Sequence, residues 1–281
     1  MILAAGLGTR LMPLSAHLPK PLVPVGDAPV LDHVLRGLQG VARGKVVVNA
    51  YHLAEALRAA CDPERVLVVT EEALLGTAGG VRNAEPSLGE GAVLVWNGDI
   101  LAPTLSAREL VSAHRESTAL ATLAVRPRGA GEGNVGVDAA GRVVRLRGQR
   151  FGTEVRGGEF LGIHVLGPGL RAVLPAQGCL VGDVYLPQLG QGAHLRAFLT
   201  DAPFSDIGSL ETYRAANRTW LEAAGIASYV HPTAIATGRT DGSVVGAGAV
   251  VRADVVDCVV WPGAEVMEPQ VGRILGRNFV A

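Results

Sequence analysis

Much of what this 281-residue chain could do is excluded by what it lacks. A formal charge of -1 gives no chain-wide attraction for nucleic acid or an anionic membrane, so any anion binding must be local. The three cysteines, Cys61, Cys179 and Cys258, lie far apart without CxxC spacing, which suggests neither a zinc site nor a disulfide framework. Free, buried thiols are expected instead. No apolar run reaches the roughly 18 residues that suggest a membrane span, and no basic leader precedes a first strand at Met1 or Ile2. The seven histidines form no HxxxH pair and join no Ser-Asp set that would mark a metal or acyl-transfer site. The expectation is a cytoplasmic enzyme with small-molecule partners, without nucleic acid or membrane, and long enough for one large domain plus a small one.

What is present alternates. MILAA, KVVVNA, RVLVVT and AVLVWN read as strands, separated by APVLDHVLRGLQG and HLAEALRAAC, whose apolar residues recur at three and four positions as crossover helices require. This is the pattern of a doubly wound α/β sheet. From Ala119 the text changes to ATLAVRP, GNVGVDAAGRVVRLRG and EFLGIHVL, an antiparallel or mixed extension with AAG as a hairpin turn. A helix follows from Ser209 to Gly225, the glycine standing where a C-cap would sit.

Beyond Ala227 the chain is rich in Val, Ala and Gly, with Val244, Val250 and Val256 six apart, and Val260 and Val266 likewise. That spacing predicts a hexapeptide β-helix of about three coils, at roughly 18 residues per three-sided coil. The expected division is a domain over 1–226 and a short repeat domain over 227–281. So short a solenoid is poorly capped, and packing against a second subunit, making a homo-oligomer, is the natural remedy.

Directly after the first strand comes LAAGLGTRLMPLSAHLPKPL, Leu3 to Leu22. Closely spaced glycines expose backbone N–H groups, and Arg10 and Lys20 add charged donors, so the segment suits phosphate. Its place beyond a strand's carboxyl end is where open α/β sheets bind ligands. It is not a GxxxxGK[ST] loop, nor a GxGxxG fingerprint, because Leu11 replaces the third glycine.

This segment closely resembles the signature of the sugar-1-phosphate nucleotidyltransferase family. EEALLGTAGG, VWNGDI and FSDIGSLETY are similar to that family's later motifs, in the same order, and the terminal repeats resemble the tail of mannose-1-phosphate guanylyltransferases. The resemblance implies a Rossmann-like mixed sheet with a short C-terminal left-handed β-helix. It also implies magnesium-dependent transfer: a sugar 1-phosphate oxygen attacks the α-phosphorus of a nucleoside triphosphate and pyrophosphate leaves. Such chemistry chiefly needs two polyanions aligned and their charge neutralised.

Carried onto this sequence, the resemblance makes Arg10 the clamp on the leaving phosphates. Lys20, in a stiff Pro-Lys-Pro segment, becomes the point charge at the α-phosphate. Asp99 and Asp206 become the magnesium carboxylates. Leu3, Ala4, Ala5, Gly6, Gly8 and Thr9 would border the triphosphate. Gly76, Thr77, Ala78 and Gly79, with Asn97 and Gly98, would form the base and ribose pocket, and Glu71 or Glu72 would read the base or hold the loop. Members of the family often carry a Glu-Lys-Pro segment whose lysine contacts the sugar phosphate. Here VVRLRGQR has Gly148 and Gln149 at the apparent equivalents, leaving Arg147 or Arg150 to supply the cation. Glu159 and Gly162 are candidate sugar contacts. GTP and mannose 1-phosphate are the leading substrates, and uridylyl transfer to glucose 1-phosphate or N-acetylmuramate 1-phosphate is the alternative. A non-catalytic nucleotide-sugar-binding subunit has less need of both Lys20 and two carboxylates, and His231 in VHPTA stands in too short a solenoid for acetyl transfer.

Overall fold

The computed structural model describes residues 1–281, and its contacts divide the chain into two compact units. One comprises Met1–Leu7 and Val34–Phe204, the other Gly8–His33 and Ser205–Ala281. These units are not the consecutive stretches 1–226 and 227–281: the segment Gly8–His33 and the helix Leu210–Ala224 group with the C-terminal strands.

The first unit is built on a ten-stranded mixed sheet. Ile2–Leu3 lies between Val46–Ala50 and Val93–Asn97, parallel to both, and Val66–Thr70 continues the parallel half. On the other side the eleven-residue strand Arg156–Leu166 runs antiparallel to Val93–Asn97, Ala121–Arg128 and Val135–Val137. Strands covered on both faces must be apolar almost throughout, as VVVNA and VLVWN are. Val47, Val95, Leu123, Val125 and Leu166 sit in one buried cluster with Ala78 and Val81 of the helix Gly76–Ala84. AAG is a hairpin turn, with Gly141 at φ 79° and its N–H donated to Asp138 O at 3.1 Å.

A second hairpin was not legible in the pattern. Arg147 and Gly148 take φ of 47° and 82° between Val143–Leu146 and Gln149–Arg150, so two consecutive residues occupy the left-handed region that tight hairpins demand. The same corner buries Arg145 against Glu154 at 2.6 Å, with exposures of 7% and 6%, and the arginine donates further to the carbonyls of Glu132, Gly133 and Val135. A buried pair survives only when its remaining donors are satisfied. The Arg145 hydrogen bond holds the Glu154 carboxyl below its ordinary range, against the upward push of burial.

In the second unit the helix Leu210–Ala224 is closed as its sequence suggests. Ser209 and Thr212 form a capping box, and Gly225 is the left-handed C-cap at φ 66°. The C-terminal strands form three parallel ladders, and here the expected period is corrected. Tyr229 pairs with Val244, Val244 with Val259, and Val259 with Ile274, fifteen positions on each time rather than 18. Ile235, Val250 and Glu265 repeat the same interval in a second ladder, and Val255 pairs with Gln270 in the third. The six-residue valine spacing does not persist, because the successive two-residue strands begin at Val244, Val250, Val255 and Val259, at unequal steps. Val245, Val251, Val260 and Val266 fill the interior beside Cys258. Of the three thiols only Cys258 is buried; Cys61 and Cys179 are half-exposed. No helix is long and apolar enough to cross a membrane.

Candidate active site

In the first unit, the carboxyl end of the strand Ile2–Leu3 is held by polar groups from its neighbours. Ala4 N donates to Asn49 Oδ1 at 2.7 Å, and Asn49 Nδ2 donates to Glu71 Oε1 at 2.6 Å. The other Glu71 oxygen accepts from Leu75 N at 3.2 Å. Glu71 is buried and Glu72 is exposed, so of the two it is Glu71 that ties the loop after the first strand to the LGTAGG segment. Asn49 was missed in the sequence, although a polar residue ending the apolar run KVVV was a usable signal. Gly98 N donates to Leu3 O at 2.8 Å, bringing the NGD turn against the same loop.

Beyond this buried network the loop opens. Ala4 and Ala5 are packed, whereas Gly6 is exposed and a Cβ there would meet nothing within 4 Å. The glycines of LGTAGG behave differently. A Cβ on Gly76 would stand 2.4 Å from Gly178 O, on Gly79 2.5 Å from Ala176 O, and on Gly80 2.6 Å from Asn49 Nδ2. Ala78 is buried and gives its N–H to Gly178 O at 2.9 Å, and Thr77 Oγ1 accepts from Leu180 N at 2.8 Å. The segment is thus packed against the chain at 176–180.

One candidate sugar contact meets the strand end: a Cβ on Gly162, at φ 72°, would lie 2.5 Å from Nδ2 of Asn97, a residue expected in the base and ribose pocket. Asp99 follows, half-buried. Glu159 is paired with Arg128 at 2.9 Å, both about two-fifths exposed. Of the two arginines beside the Gly148-Gln149 departure, Arg147 reaches the 176–182 chain, its guanidinium 3.6 Å from Cys179 Sγ. Arg150 points to Glu154 at 4.0 Å and is 63% exposed. Burial pushes the Cys179 thiol up, but the N–H groups of Gly182 and Val181 and the charge of Arg147 outweigh it and leave the thiol below its ordinary value.

In the second unit, Gly8 has φ 64° and accepts at its carbonyl from Ser15 Oγ at 2.8 Å, turning the chain into the 3-10 turn Thr9–Leu11. Arg10 and Asp206 come together over Gly208: a Cβ on that glycine would be 3.1 Å from the guanidinium and 3.0 Å from Asp206 Oδ1. Lys20 opens a second 3-10 turn, Lys20–Leu22, behind Pro19. No group of three or more His, Cys, Asp and Glu side chains forms a metal cage. Of the two carboxylates expected to hold magnesium, Asp99 is half-buried in the first unit and Asp206 is exposed in the second.

A family model described as Nucleotidyl transferase matches residues 1–147. The mannose-1-phosphate guanylyltransferase of Mycobacterium tuberculosis is 35% identical over 128 residues, covering 44% of this chain and 35% of the relative. An N-acetylmuramate alpha-1-phosphate uridylyltransferase of Caulobacter vibrioides is 37% identical over 107 residues, 35% of this chain and 44% of the relative. The matches thus span less than half the length of these two relatives. A probable mannose-1-phosphate guanylyltransferase 2 of Arabidopsis thaliana is 26% identical but covers 97% of this chain and 81% of its own. Among solved structures, HddC from Yersinia pseudotuberculosis complexed with GMP-PN shares the fold with a TM-score of 0.63 at 23% identity, over 78% of this chain and 97% of that one.

Proposed function

The chain belongs to the sugar-1-phosphate nucleotidyltransferase family, and from that premise we propose that it joins a nucleoside triphosphate to a hexose 1-phosphate. A phosphate oxygen of the sugar 1-phosphate attacks the α-phosphorus, the bond from that phosphorus to the bridging oxygen breaks, and pyrophosphate leaves with its electron pair. The open backbone at Gly6 carries this reading: an exposed glycine just beyond the buried Asn49–Glu71 network leaves room for a triphosphate at the sheet's carboxyl edge.

Arg10 clamps the leaving β and γ phosphates with a planar fork of donors. Lys20 serves the α-phosphate. In a chain with 25 Lys and Arg, lysine occurs only at Lys20 and Lys45, and a compact ammonium suits a point where charge builds on one group. Magnesium, held by the Asp99 and Asp206 carboxylates with phosphate oxygens and water, would neutralise charge on the transferring group. Gly162 and Arg147 take the sugar side, Arg147 standing in for the missing lysine.

GTP and mannose 1-phosphate are the leading pair, supported by the likeness to the probable mannose-1-phosphate guanylyltransferase 2 of Arabidopsis, which runs along nearly the whole chain. Uridylyl transfer is the second reading, favoured by the shorter Caulobacter match. We read the C-terminal ladders as a short left-handed β-helix of fifteen-residue coils. The test is a panel of four nucleoside triphosphates with magnesium and several sugar 1-phosphates, scored by pyrophosphate release. Turnover with one pair is expected, and silence with every pair sinks the proposal.

A further inference from the structure

The segment that carries Arg10 and Lys20 has almost no regular structure of its own. It consists of the 3-10 turns Thr9–Leu11 and Lys20–Leu22, one helical turn Leu14–His17, and the two-residue strands Pro24–Val25 and Ala28–Pro29. Elements this short do not hold a conformation by themselves. What holds the segment lies far away in sequence but within the same unit.

The helix Leu210–Ala224 presents Tyr213, Asn217 and Trp220, spaced to share one face. Tyr213 Oη donates to Pro24 O at 2.6 Å and accepts from Trp261 Nε1 at 2.9 Å. Asn217 Oδ1 accepts from Gly26 N at 3.0 Å. Trp220 occupies the space above Gly26, where a Cβ would come within 2.1 Å of the indole. On the other side of Lys20, Phe279 stacks on His17 with centroids 4.9 Å apart and planes at 20°. The same ring meets Trp261 edge-on at 4.9 Å. Phe279 gets there by the last hairpin, Ile274–Gly276 against Phe279–Val280, and Gly276 is required because a Cβ there would be 2.1 Å from the phenyl ring.

We propose that the C-terminal ladders brace the phosphate-binding segment, with Trp261, Tyr213 and Phe279 as positioning residues for Lys20 and Arg10. The proposal rests on reading that segment as the triphosphate clamp. The two anchor points bracket Lys20: His17 stands three residues before it and Pro24 four after. Trp261 joins both anchors, through its N–H to Tyr213 and through its ring to Phe279. A cation that must meet one phosphate gains from such bracketing, since a misplacement of about 1 Å can cost about 10²-fold in rate.

Trp261→Phe removes the indole N–H and keeps an aromatic ring, and Phe279→Leu removes the stack while keeping apolar bulk. Hydrogen–deuterium exchange of the full chain is expected to quicken in residues 8–25 in both variants, with the ladder strands 244–260 unchanged. In turnover, the KM for the triphosphate is expected to rise about five- to tenfold, the equivalent of one lost hydrogen bond, while the KM for the sugar 1-phosphate stays put. Restoring an N–H donor with Trp261→His is expected to recover part of the loss. Unchanged exchange in 8–25 for both variants overturns the brace, whatever happens to thermal stability. A wild-type protein that releases no pyrophosphate with any substrate pair overturns the transferase reading instead, and the exchange measurement still decides the brace.

Discussion

Gly6 and the glycines of LGTAGG border the same sheet edge and differ in what surrounds them. In LAAGLGTRL, Gly6 faces open space, and a Cβ there would meet nothing within 4 Å. In LGTAGG, Gly76, Gly79 and Gly80 face backbone carbonyls and the Asn49–Glu71 pair, so what their missing side chains leave free is already filled by protein. Gly6 is exposed, whereas Gly79 and Gly80 are buried. Glycine content alone therefore does not locate a binding loop, and the neighbours of the absent Cβ decide it.

Several substitutions test this contrast. The largest effect is expected on the open side: Lys20→Ala should lower kcat for pyrophosphate release by about 10²–10³-fold, as when a preorganised donor to developing charge is lost, with the melting temperature nearly unchanged. Next comes Gly80→Ala. Its methyl would press on Asn49 Nδ2 at 2.6 Å and Glu71 Oε1 at 2.8 Å, and overpacking at such a site costs about 1–3 kcal/mol, read as a lower urea midpoint. If Gly80→Ala leaves stability intact, the packed reading of LGTAGG fails. Gly6→Ala should do the reverse, shifting stability by less than about 0.5 kcal/mol while raising the triphosphate KM several-fold. A destabilised Gly6→Ala with normal kinetics would erase the contrast.

The smallest effect concerns the chain behind LGTAGG. That chain runs from Gly178 into the helical segment Leu180–Tyr185, where Tyr185 Oη and His164 Nδ1 lie 2.8 Å apart in the buried interior. Burial pushes His164 from its ordinary 6.5 down to about 3. The unfolded chain therefore takes up this proton below pH 6.5 while the folded chain does not until about 3, so stability falls as pH falls through that window. Between pH 7 and pH 6 the loss should be under about 1 kcal/mol, and His164→Gln should flatten the slope in urea titrations run across that range.

Much of the architecture was legible because it is written in local period. The four strands of the parallel half, the AAG hairpin and the capped helix Leu210–Ala224 all follow from alternation, turn chemistry or cap residues within a few positions of one another. The repeat was expected at 18 because valines six apart suggest equal steps, whereas the ladders pair residues fifteen apart and the steps between Val244, Val250, Val255 and Val259 are unequal. Nothing in VVRLRGQR singles out Arg145, and only the fold shows its buried partner Glu154 nine residues on. The candidate site was legible as motifs, since Gly6, Arg10, Lys20, Asp99 and Asp206 stand in recognisable strings. Of the residues that hold those motifs, Glu71 and Tyr213 stand at the ends of the strings EEALLGTAGG and FSDIGSLETY, whereas Asn49, Trp261 and Phe279 belong to no such motif.

By itself, then, the amino-acid order determined which segments are strands and helices and which short motifs carry cations and carboxylates, because hydrophobic period, capping and turn preference act over a few residues. Only the tertiary structure decided which glycines are open and which are packed, which of Glu71 and Glu72 is buried, and that the end of the chain returns to the segment bearing Lys20. Those outcomes depend on contacts between residues tens to hundreds of positions apart, from Asn49 with Glu71 to His17 with Phe279, and no local pattern records such contacts.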